Sequence, residues 1–356
     1  MWVDPFSLRL DAPLRTAAGE ITERRGFLVG LETDDVDGLG EATPLPGWTE
    51  SYEMCRTALE TAATQSAESA SNVALPDPVE TPAAAHGVDL ARLDSIARHE
   101  RRPLASVLRD VAFDSNRPIP ESVPVNATIG DGSIDETVRA AVAAVDEGFS
   151  WLKLKVGAQE PDTDIARVQA VREAVDDSVS LRLDANGAWD RPTAKRVVDQ
   201  LAREGIEYLE QPLPAADLAG HAELRGHGVD IAVDESIAEQ SVADVIDAEA
   251  ADVVICKPMV MGGPRRTVKL AATARSAGIE PVVTTTVDGV VARTAAVHVA
   301  AAIPDITACG VATGSLLATD LAADPLSISD GRARLPSGNG LCGEKFAELE
   351  RRGESK

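Results

Sequence analysis

Acidic residues end three consecutive apolar, β-branched runs in the second half of the chain. Asp184 closes SLRLD, Glu210 closes IEYLE and Asp234 closes DIAVD, at spacings of 26 and 24 residues. A single carboxylate at such a position is usually a helix cap or a loop charge. Three in the same register would converge at one mouth of a β/α barrel and would repel one another without a cation. Hard oxygen ligands favour Mg²⁺, with Mn²⁺ as a substitute.

Lysines end two further runs. Lys153 and Lys155 alternate with leucines in WLKLKVG, so the two-residue period of a strand points both amines to one face. Lys257 closes DVVIC and would approach the same mouth from the far side of a barrel. Neighbouring cations and partial burial would lower the pKa of a lysine there toward the operating pH, as a general base requires. The alternative for Lys153 is that it positions a ligand or pairs with a carboxylate of the metal site.

Carboxylates and amines in this arrangement suit one reaction class, the removal of a proton next to a carboxylate. The substrate carboxylate would bind the metal while its alpha carbon faces a lysine. The metal and a second cation would then stabilise the enediolate that forms. Sites of the enolase type combine a lysine or histidine base with magnesium in this way.

Eight short apolar runs alternate with helical stretches from about residue 120 onward, which is typical of repeated β/α units. The runs lie at residues 122–130, 151–157, 180–187, 206–213, 230–236, 252–258, 281–289 and 306–314. Eight parallel strands close into a barrel, so the sequence predicts an α/β protein with a modified (β/α)7β barrel of the TIM type. An open doubly wound sheet is the alternative, but neither G-x-G-x-x-G nor G-x-x-x-x-G-K-[ST] marks a ligand site for one.

The N-terminal third has a different pattern. Runs such as RGFLVGLET and long Ala/Glu-rich stretches predict antiparallel strands followed by helices. We therefore expect an α+β capping domain over residues 1–118 and the barrel over residues 119–321. The strand and turn residues of about 322–356 are expected to complete the capping domain.

The composition is strongly acidic, with 58 acidic against 34 basic residues and a formal charge of -24. Such a field repels nucleic acid and anionic membranes, so we expect neither as a partner. The acidity resembles adaptation to high salt; an ordinary acidic enzyme is the alternative. No apolar run is long enough to span a bilayer and the N-terminus lacks a secretory pattern, which favours a cytoplasmic location. The four cysteines form no C-x-x-C pair and are expected to be free thiols.

Five motifs of the barrel half resemble those of the enolase superfamily, muconate-lactonizing-enzyme subgroup. They are K-L-K (153–155), D-A-N (184–186), E-Q-P (210–212), D-E-S (234–236) and K-P-x-x-x-G-G (257–263). In the N-terminal unit, R-T-A-A-G (15–19) and G-L-G-E-A-T-P-L-P-G-W-T-E-S (38–51) look like the capping domain of the o-succinylbenzoate synthase family. The combination is far more specific than any one motif, and the resemblance is weakest over residues 61–120.

The resemblance implies a magnesium-dependent carbon–oxygen lyase that dehydrates 2-succinyl-6-hydroxy-2,4-cyclohexadiene-1-carboxylate to 2-succinylbenzoate in menaquinone biosynthesis. Lys155 would remove the alpha proton and return it to the departing hydroxyl, Lys257 would stabilise the enediolate from the opposite face, and Lys153 would assist the base and contact the substrate. The implied metal ligands are Asp184, Glu210 and Asp234.

The resemblance also implies further contacts to this small carboxylate substrate. The loop from Arg15 to Gly19 would close over the mouth, exclude water and shape specificity. The residues expected to face substrate are Arg15, Thr284, Thr286 and Gly310, although the last three could equally be barrel packing. The oligomeric state, including a homo-oligomer, is left open.

Related activities on the same metal and lysines remain alternatives. The eighth run reads G-V-A-T-G, so Ala312 supplies no carboxylate where many relatives have one. This departure counts against a dipeptide epimerase, which binds a substrate ammonium through acidic residues. It leaves open N-succinylamino acid racemisation and muconate-type cycloisomerisation. A non-catalytic relative would be expected to lack a ligand or a lysine, and none is missing.

Overall fold

The computed structural model describes residues 1–16, 19–32, 36–68 and 73–350. Its N-terminal unit begins with an antiparallel sheet of β1 (Trp2–Thr16), β2 (Gly19–Leu31) and β3 (Gly38–Ala42). Three helices follow: α1 (Tyr52–Glu68), α2 (Pro82–His99) and α3 (Leu104–Ala112). Helix α2 lies directly on β3. The two backbones are so close that a Cβ placed on Gly40 would lie 2.0 Å from the carbonyl oxygen of Gly87. Glycine at this position therefore permits the close backbone contact.

The first predicted barrel run, residues 122–130, forms two short strands instead of one. They are β4 (Ser122–Pro124) and β5 (Ala127–Ile129), and only β5 joins the barrel sheet. Pro124 has no N–H to donate to a ladder. Beyond it, the Val125 N–H bonds the Gly331 carbonyl at 2.9 Å and the Asn126 N–H bonds the Cys309 carbonyl at 3.1 Å. The chain thus passes from a small outer sheet into the barrel between these two residues.

Seven parallel strands form the main sheet, each paired with the next along the chain from β5 onward. The other six are β6 (Trp151–Lys155), β7 (Ser180–Asp184), β8 (Ile206–Glu210), β9 (Asp230–Val233), β10 (Val253–Cys256) and β11 (Glu280–Val283). Between and after them lie the helices α4 (Ile134–Asp146), α5 (Pro161–Ala174), α6 (Arg191–Leu201), α7 (Leu218–Leu224), α8 (Glu235–Glu239), α9 (Val242–Asp247), α10 (Pro264–Ser276) and α11 (Val290–Ala302). The predicted parallel β/α barrel with a separate N-terminal unit is confirmed.

The strand and helix patterns follow from local sequence. In β6 the leucines 152 and 154 are fully buried in the core that the helices cover, while the alternating lysines face the other side. Helix α4 starts with a capping box in which Ser133 and Glu136 satisfy each other's backbone N–H groups. Helix α6 starts at Arg191 and is capped by Asp190, whose carboxylate accepts the Thr193 N–H at 2.9 Å. These caps fix where α4 and α6 begin.

The eighth predicted strand, residues 306–314, is not a regular strand. It closes the barrel through two single bridges, Cys309 with Val125 and Gly310 with Thr284. The Gly310 N–H bonds the Val283 carbonyl at 2.9 Å, so this segment joins both edges of the seven-stranded sheet. A Cβ on Gly310 would lie 2.6 Å from the Thr284 hydroxyl oxygen, which explains the glycine at the closest approach.

The C-terminal segment contacts both halves of the molecule. Strand β12 (Ser327–Ser329) pairs with β13 (Arg332–Arg334), and β13 pairs with β4 beside the barrel. Farther on, the Gly340 carbonyl accepts the Leu104 N–H at 2.9 Å, and Asp94 of α2 accepts the Leu341 N–H at 2.8 Å. The final helix, α12 (Ala347–Glu350), reaches α2 through the ion pair of Glu350 with Arg98. The segment therefore packs on both units, and the predicted domain boundaries stay a prediction.

Two further expectations concern the chain as a whole. Within the described ranges, no helix has both the length and the apolar character needed to cross a membrane. The expectation of free thiols is confirmed, since all four cysteines are unpaired and buried: Cys55, Cys256, Cys309 and Cys342.

Candidate active site

The three predicted acids lie at the carboxyl ends of neighbouring strands. Asp184 ends β7, and its register partner Glu210 ends β8. Asp234 follows β9 and directly precedes α8. All three are buried, with at most 5% of their surface exposed. Parallel strands place these ends at one mouth of the barrel, so the acids are brought together as the sequence predicts.

Two lysines of β6 approach the acids from one side. The Lys153 Nζ lies 2.7 Å from Glu210 Oε1 and 2.9 Å from Asp184 Oδ2. The Lys155 Nζ lies 2.7 Å from the same Asp184 oxygen. One ammonium therefore bridges two of the carboxylates, which shows that a single cationic centre can contact both.

Lys257 follows β10 and approaches from the opposite side. Its Nζ lies 2.6 Å from Asp234 Oδ2 and 3.4 Å from the ring centroid of Trp48. Trp48 belongs to the N-terminal unit, so an aromatic face of that unit covers the amine and attracts it through a cation–π interaction. Sequence reasoning did not assign Trp48 to the site. The available signal was that Trp48 lies in the G-W-T-E-S part of the N-terminal motif, residues 38–51.

Two of the acids also carry an oxygen atom without a hydrogen-bond partner. Among the residues that the structure describes, none bonds the buried Glu210 Oε2 or Asp234 Oδ1. A buried carboxylate oxygen without a partner is costly unless a cation binds it. In the described part of the chain, no three His, Cys, Asp or Glu side chains already form an ion cage, since each acid here is turned toward a lysine. The all-oxygen donor set and its free atoms nevertheless fit a hard divalent cation.

Charges at the site change one another's pKa. Burial raises the pKa of Glu210 to about 8, and the nearby Asp184 adds to the effect. Burial alone would lower the pKa of Lys153, but Asp184 and Glu210 outweigh it, so the pKa of Lys153 rises well above its usual value. The expected lowering of a lysine pKa is therefore wrong for Lys153, because its neighbours are carboxylates and not cations. In turn, Lys153 and Lys155 outweigh burial and hold the pKa of Asp184 below its usual value.

Asn186 connects the candidate base to the acids. Its Oδ1 accepts from Lys155 Nζ at 2.8 Å, and its Nδ2 donates to Glu235 Oε1 at 2.9 Å. Its backbone N–H bonds Asp184 Oδ1 at 3.1 Å, and it has a positive φ of 45°. Asparagine tolerates this conformation better than most residues. The D-A-N motif contained Asn186, yet its role in holding Lys155 required coordinates.

The remaining predicted contacts are less open to a ligand. The Thr284 hydroxyl donates to the Gly310 carbonyl at 2.8 Å, and the Thr286 hydroxyl donates to Asp288 at 2.5 Å. Thr286 is only 6% exposed. The side chain of Arg15 lies outside the described residues, as do residues 17 and 18 of the predicted closing loop. Substrate contact by these four residues stays a prediction.

Comparisons with known proteins agree with this geometry. The sequence matches the enolase C-terminal domain-like family over residues 136–344 and the MenC N-terminal domain over residues 4–95. It is 40% identical to the o-succinylbenzoate synthase of Thermobifida fusca (strain YX) over 213 residues, which is 59% of this chain and 65% of that relative. It is 34% identical to muconate cycloisomerase 1 of Rhodococcus opacus over 71% of this chain and 67% of that relative.

Solved structures of other activities share the fold. A dipeptide epimerase of Enterococcus faecalis V583, complexed with Mg and the dipeptide L-Leu-L-Tyr, aligns with a TM-score of 0.83 and 28% identity, covering 96% of this chain and 97% of the other. An N-succinyl Arg/Lys racemase of Bacillus cereus ATCC 14579 aligns with a TM-score of 0.83 and 25% identity, covering 99% and 96%. Lyases, epimerases and racemases therefore all resemble this chain.

Proposed function

Because the chain belongs to the enolase superfamily, we propose that it is a divalent-metal-dependent o-succinylbenzoate synthase. The reaction is the dehydration of 2-succinyl-6-hydroxy-2,4-cyclohexadiene-1-carboxylate to 2-succinylbenzoate, a step of menaquinone biosynthesis. The observation that carries the reaction class is the pair of amines on opposite sides of the buried acids, Lys155 on one and Lys257 on the other. The specific substrate is supported by the match of the N-terminal unit to the MenC N-terminal domain.

The residues that would hold the metal are the three strand-end acids, Asp184, Glu210 and Asp234. When bound there, Mg²⁺ supplies a Lewis acid that polarises the substrate carboxylate, and Mn²⁺ is a plausible substitute. The buried oxygens of Glu210 and Asp234 without partners are the observation that supports this assignment. A relative of the same fold is described as a complex with Mg.

The proton is handled by the chain's own amines. Lys155 Nζ takes the proton from the alpha carbon of the substrate, and the electron pair of that C–H bond shifts onto the substrate carboxylate, from which it returns to form the new ring double bond as the hydroxyl leaves. The C–O bond to the adjacent hydroxyl then breaks, the ring becomes aromatic, and Lys155 returns the proton so that water leaves. Asn186 Oδ1 remains beside Lys155 throughout and holds the amine at the end of β6.

Lys257 acts through charge on the other face. Its ammonium offsets the negative charge that develops on the substrate carboxylate when the proton leaves. Burial strengthens this effect, because Lys257 is only 9% exposed and lies against Trp48. Lys153, which bridges Asp184 and Glu210, maintains the spacing of the acids and the charge beside the base.

N-succinylamino acid racemisation is the second candidate. Amines on both faces could remove a proton from one side of a carbon and deliver it to the other, which is what racemisation requires. The structural likeness to an N-succinyl Arg/Lys racemase also favours it. A muconate-type cycloisomerase shares the same residues, and the identity to muconate cycloisomerase 1 keeps it a rival.

One incubation separates these reactions. The purified chain is mixed with the cyclohexadiene substrate and Mg²⁺, and aromatisation is followed by ultraviolet absorbance. We expect rapid formation of 2-succinylbenzoate that stops on chelation of the metal. A parallel incubation with N-succinyl amino acids is followed by polarimetry. Racemisation without any dehydration would reject the proposed activity in favour of the second candidate.

A further inference from the structure

Gln211 lies between two of the proposed metal ligands. It directly follows Glu210 in the chain, is completely buried, and has a positive φ of 42°. Few residues other than glycine adopt this conformation, and it persists only where surrounding contacts enforce it. Its backbone N–H bonds the Ala232 carbonyl of β9 at 2.8 Å, so the turn after β8 is already tied to the next strand.

The side-chain oxygen of Gln211 extends this connection to the next ligand. Oε1 accepts the Asp234 N–H at 2.9 Å and the Ser236 N–H at 3.1 Å. One side chain thus joins the end of β8 to the turn that carries Asp234. The Asp234 carboxylate itself makes no capping hydrogen bond to α8.

The side-chain nitrogen of Gln211 is held equally firmly. Nε2 donates to the Leu213 carbonyl at 3.0 Å and to the Ser236 hydroxyl at 2.9 Å, and lies 3.3 Å from His221 Nε2. The His221 Nδ1 is 2.8 Å from the Asp217 carbonyl, which can only accept, so the ring hydrogen is on Nδ1 and Nε2 is an acceptor. Every neighbour of Oε1 is therefore a donor and every neighbour of Nε2 an acceptor, which fixes the orientation of the amide.

We propose that Gln211 is a positioning residue of the metal site, which sets the separation of Glu210 and Asp234 before a cation binds. This role rests on the proposed metal site. Lys153 and Lys257 each hold one oxygen of these two acids, whereas the other oxygens, Glu210 Oε2 and Asp234 Oδ1, have no partner among the described residues, so the separation of the two acids also depends on the backbone that Gln211 joins. Outer partners that orient ligands typically change metal affinity by roughly 10- to 100-fold when removed.

The test is a direct titration of the metal-free chain with Mn²⁺, followed by electron paramagnetic resonance, so that no substrate or activity is needed. We expect Gln211→Met, which keeps the volume and removes the amide, to weaken Mn²⁺ binding by roughly 10- to 100-fold. His221→Leu removes only one acceptor behind the amide and should weaken binding by a smaller factor. Gln169→Met is the matched control, because Gln169 bonds Glu204 away from the mouth. The Mn²⁺ affinity of this variant should equal that of the unsubstituted chain.

The outcomes separate the possible roles. A Gln211→Met chain that melts at a lower temperature but binds Mn²⁺ as tightly as before would overturn the proposal, since the residue would then only stabilise the fold. If Gln211→Met does not fold, unchanged Mn²⁺ affinity in folded His221→Leu overturns it instead. Failure of the unsubstituted chain to bind Mn²⁺ would refute the metal site itself, and this role with it.

Discussion

Two layers of the barrel interior differ in whether their buried charged groups have hydrogen-bond partners. In the deeper layer, Arg182 of β7 is fully buried and every group of its guanidinium is used. It bonds both oxygens of Glu207 at 2.8 and 3.1 Å, the Ala308 carbonyl at 2.6 Å and the Thr307 hydroxyl at 2.9 Å. It also stacks over the Tyr208 ring at 4.8 Å. This charge is completely satisfied by the protein.

The layer at the mouth begins two residues later on the same strand, at Asp184. Here three acids share three amines, yet Glu210 Oε2 and Asp234 Oδ1 are buried without partners. A satisfied buried charge holds elements together, whereas an unsatisfied one indicates a place for something the protein does not supply. The contrast supports the proposal that the mouth is the working layer and that the layer below it is its support.

The largest effect is expected for Lys155→Ala. Loss of the base should lower the dehydration rate by roughly 10²- to 10⁴-fold, because the proton at the alpha carbon then has no positioned acceptor. The measurement is the rate of aromatisation at saturating Mg²⁺, together with a Mn²⁺ titration that should show retained binding. Lys195→Ala serves as the control, since Lys195 pairs with Asp199 on the exposed face of α6. A near-normal rate in Lys155→Ala would remove this residue as the base.

For Arg182→Met in the deeper layer, we expect a loss of stability with little change in the catalytic rate. Removing one partner of a buried ion pair should cost roughly 3 kcal/mol of unfolding free energy, toward the low end of the usual range because Glu207 is partly exposed. The measurement is urea unfolding alongside kcat of the fraction that remains folded. We expect kcat to change little. A large loss of kcat with unchanged stability would erase the distinction between the two layers.

Much of the working layer was accessible from sequence. The two-residue strand period placed Lys153 and Lys155 on one face, and the strand ends brought Asp184 beside Glu210, as the register shows. These inferences needed only short-range periodicity and the geometry common to all parallel barrels. The family resemblance added the enolase-like fold, which the structure and the comparisons confirm.

Other features depended on partners that no local pattern reveals. The eighth run closes the barrel by isolated bridges because Arg182 and the edges of β5 and β11 hold it. Arg182 and the carbonyl that it bonds in this run are more than a hundred residues apart in the sequence. The cover of Trp48 over Lys257 joins two units that are far apart in sequence. The raised pKa of Lys153 reflects which charges surround it, and a linear sequence does not give that arrangement.

A third buried site, the neutral imidazole of His298 in α11, extends the comparison to pH. His298 is fully buried; Nδ1 accepts the Ala105 N–H at 3.2 Å and Nε2 donates to the Leu341 carbonyl at 2.6 Å. Both ring nitrogens are satisfied only in the neutral form, and burial lowers the pKa of His298 from 6.5 to about 4. Like Arg182, it is a completed contact, here between α3 and the C-terminal segment.

The smallest effect is therefore a pH-dependent loss of stability. Since the pKa of His298 is lower in the folded chain, its stabilisation is present above about pH 6.5 and is lost as pH falls toward 4. Urea unfolding at pH 7 and 4.5 should show that the unsubstituted chain loses about 2 kcal/mol more than His298→Gln, which cannot titrate. Other acids titrate equally in both chains and cancel in the difference. Equal losses of unfolding free energy in the two chains would mean that the folded chain does not lower the pKa of His298. Arg182 and His298 could then not be grouped as buried sites that the protein fully satisfies.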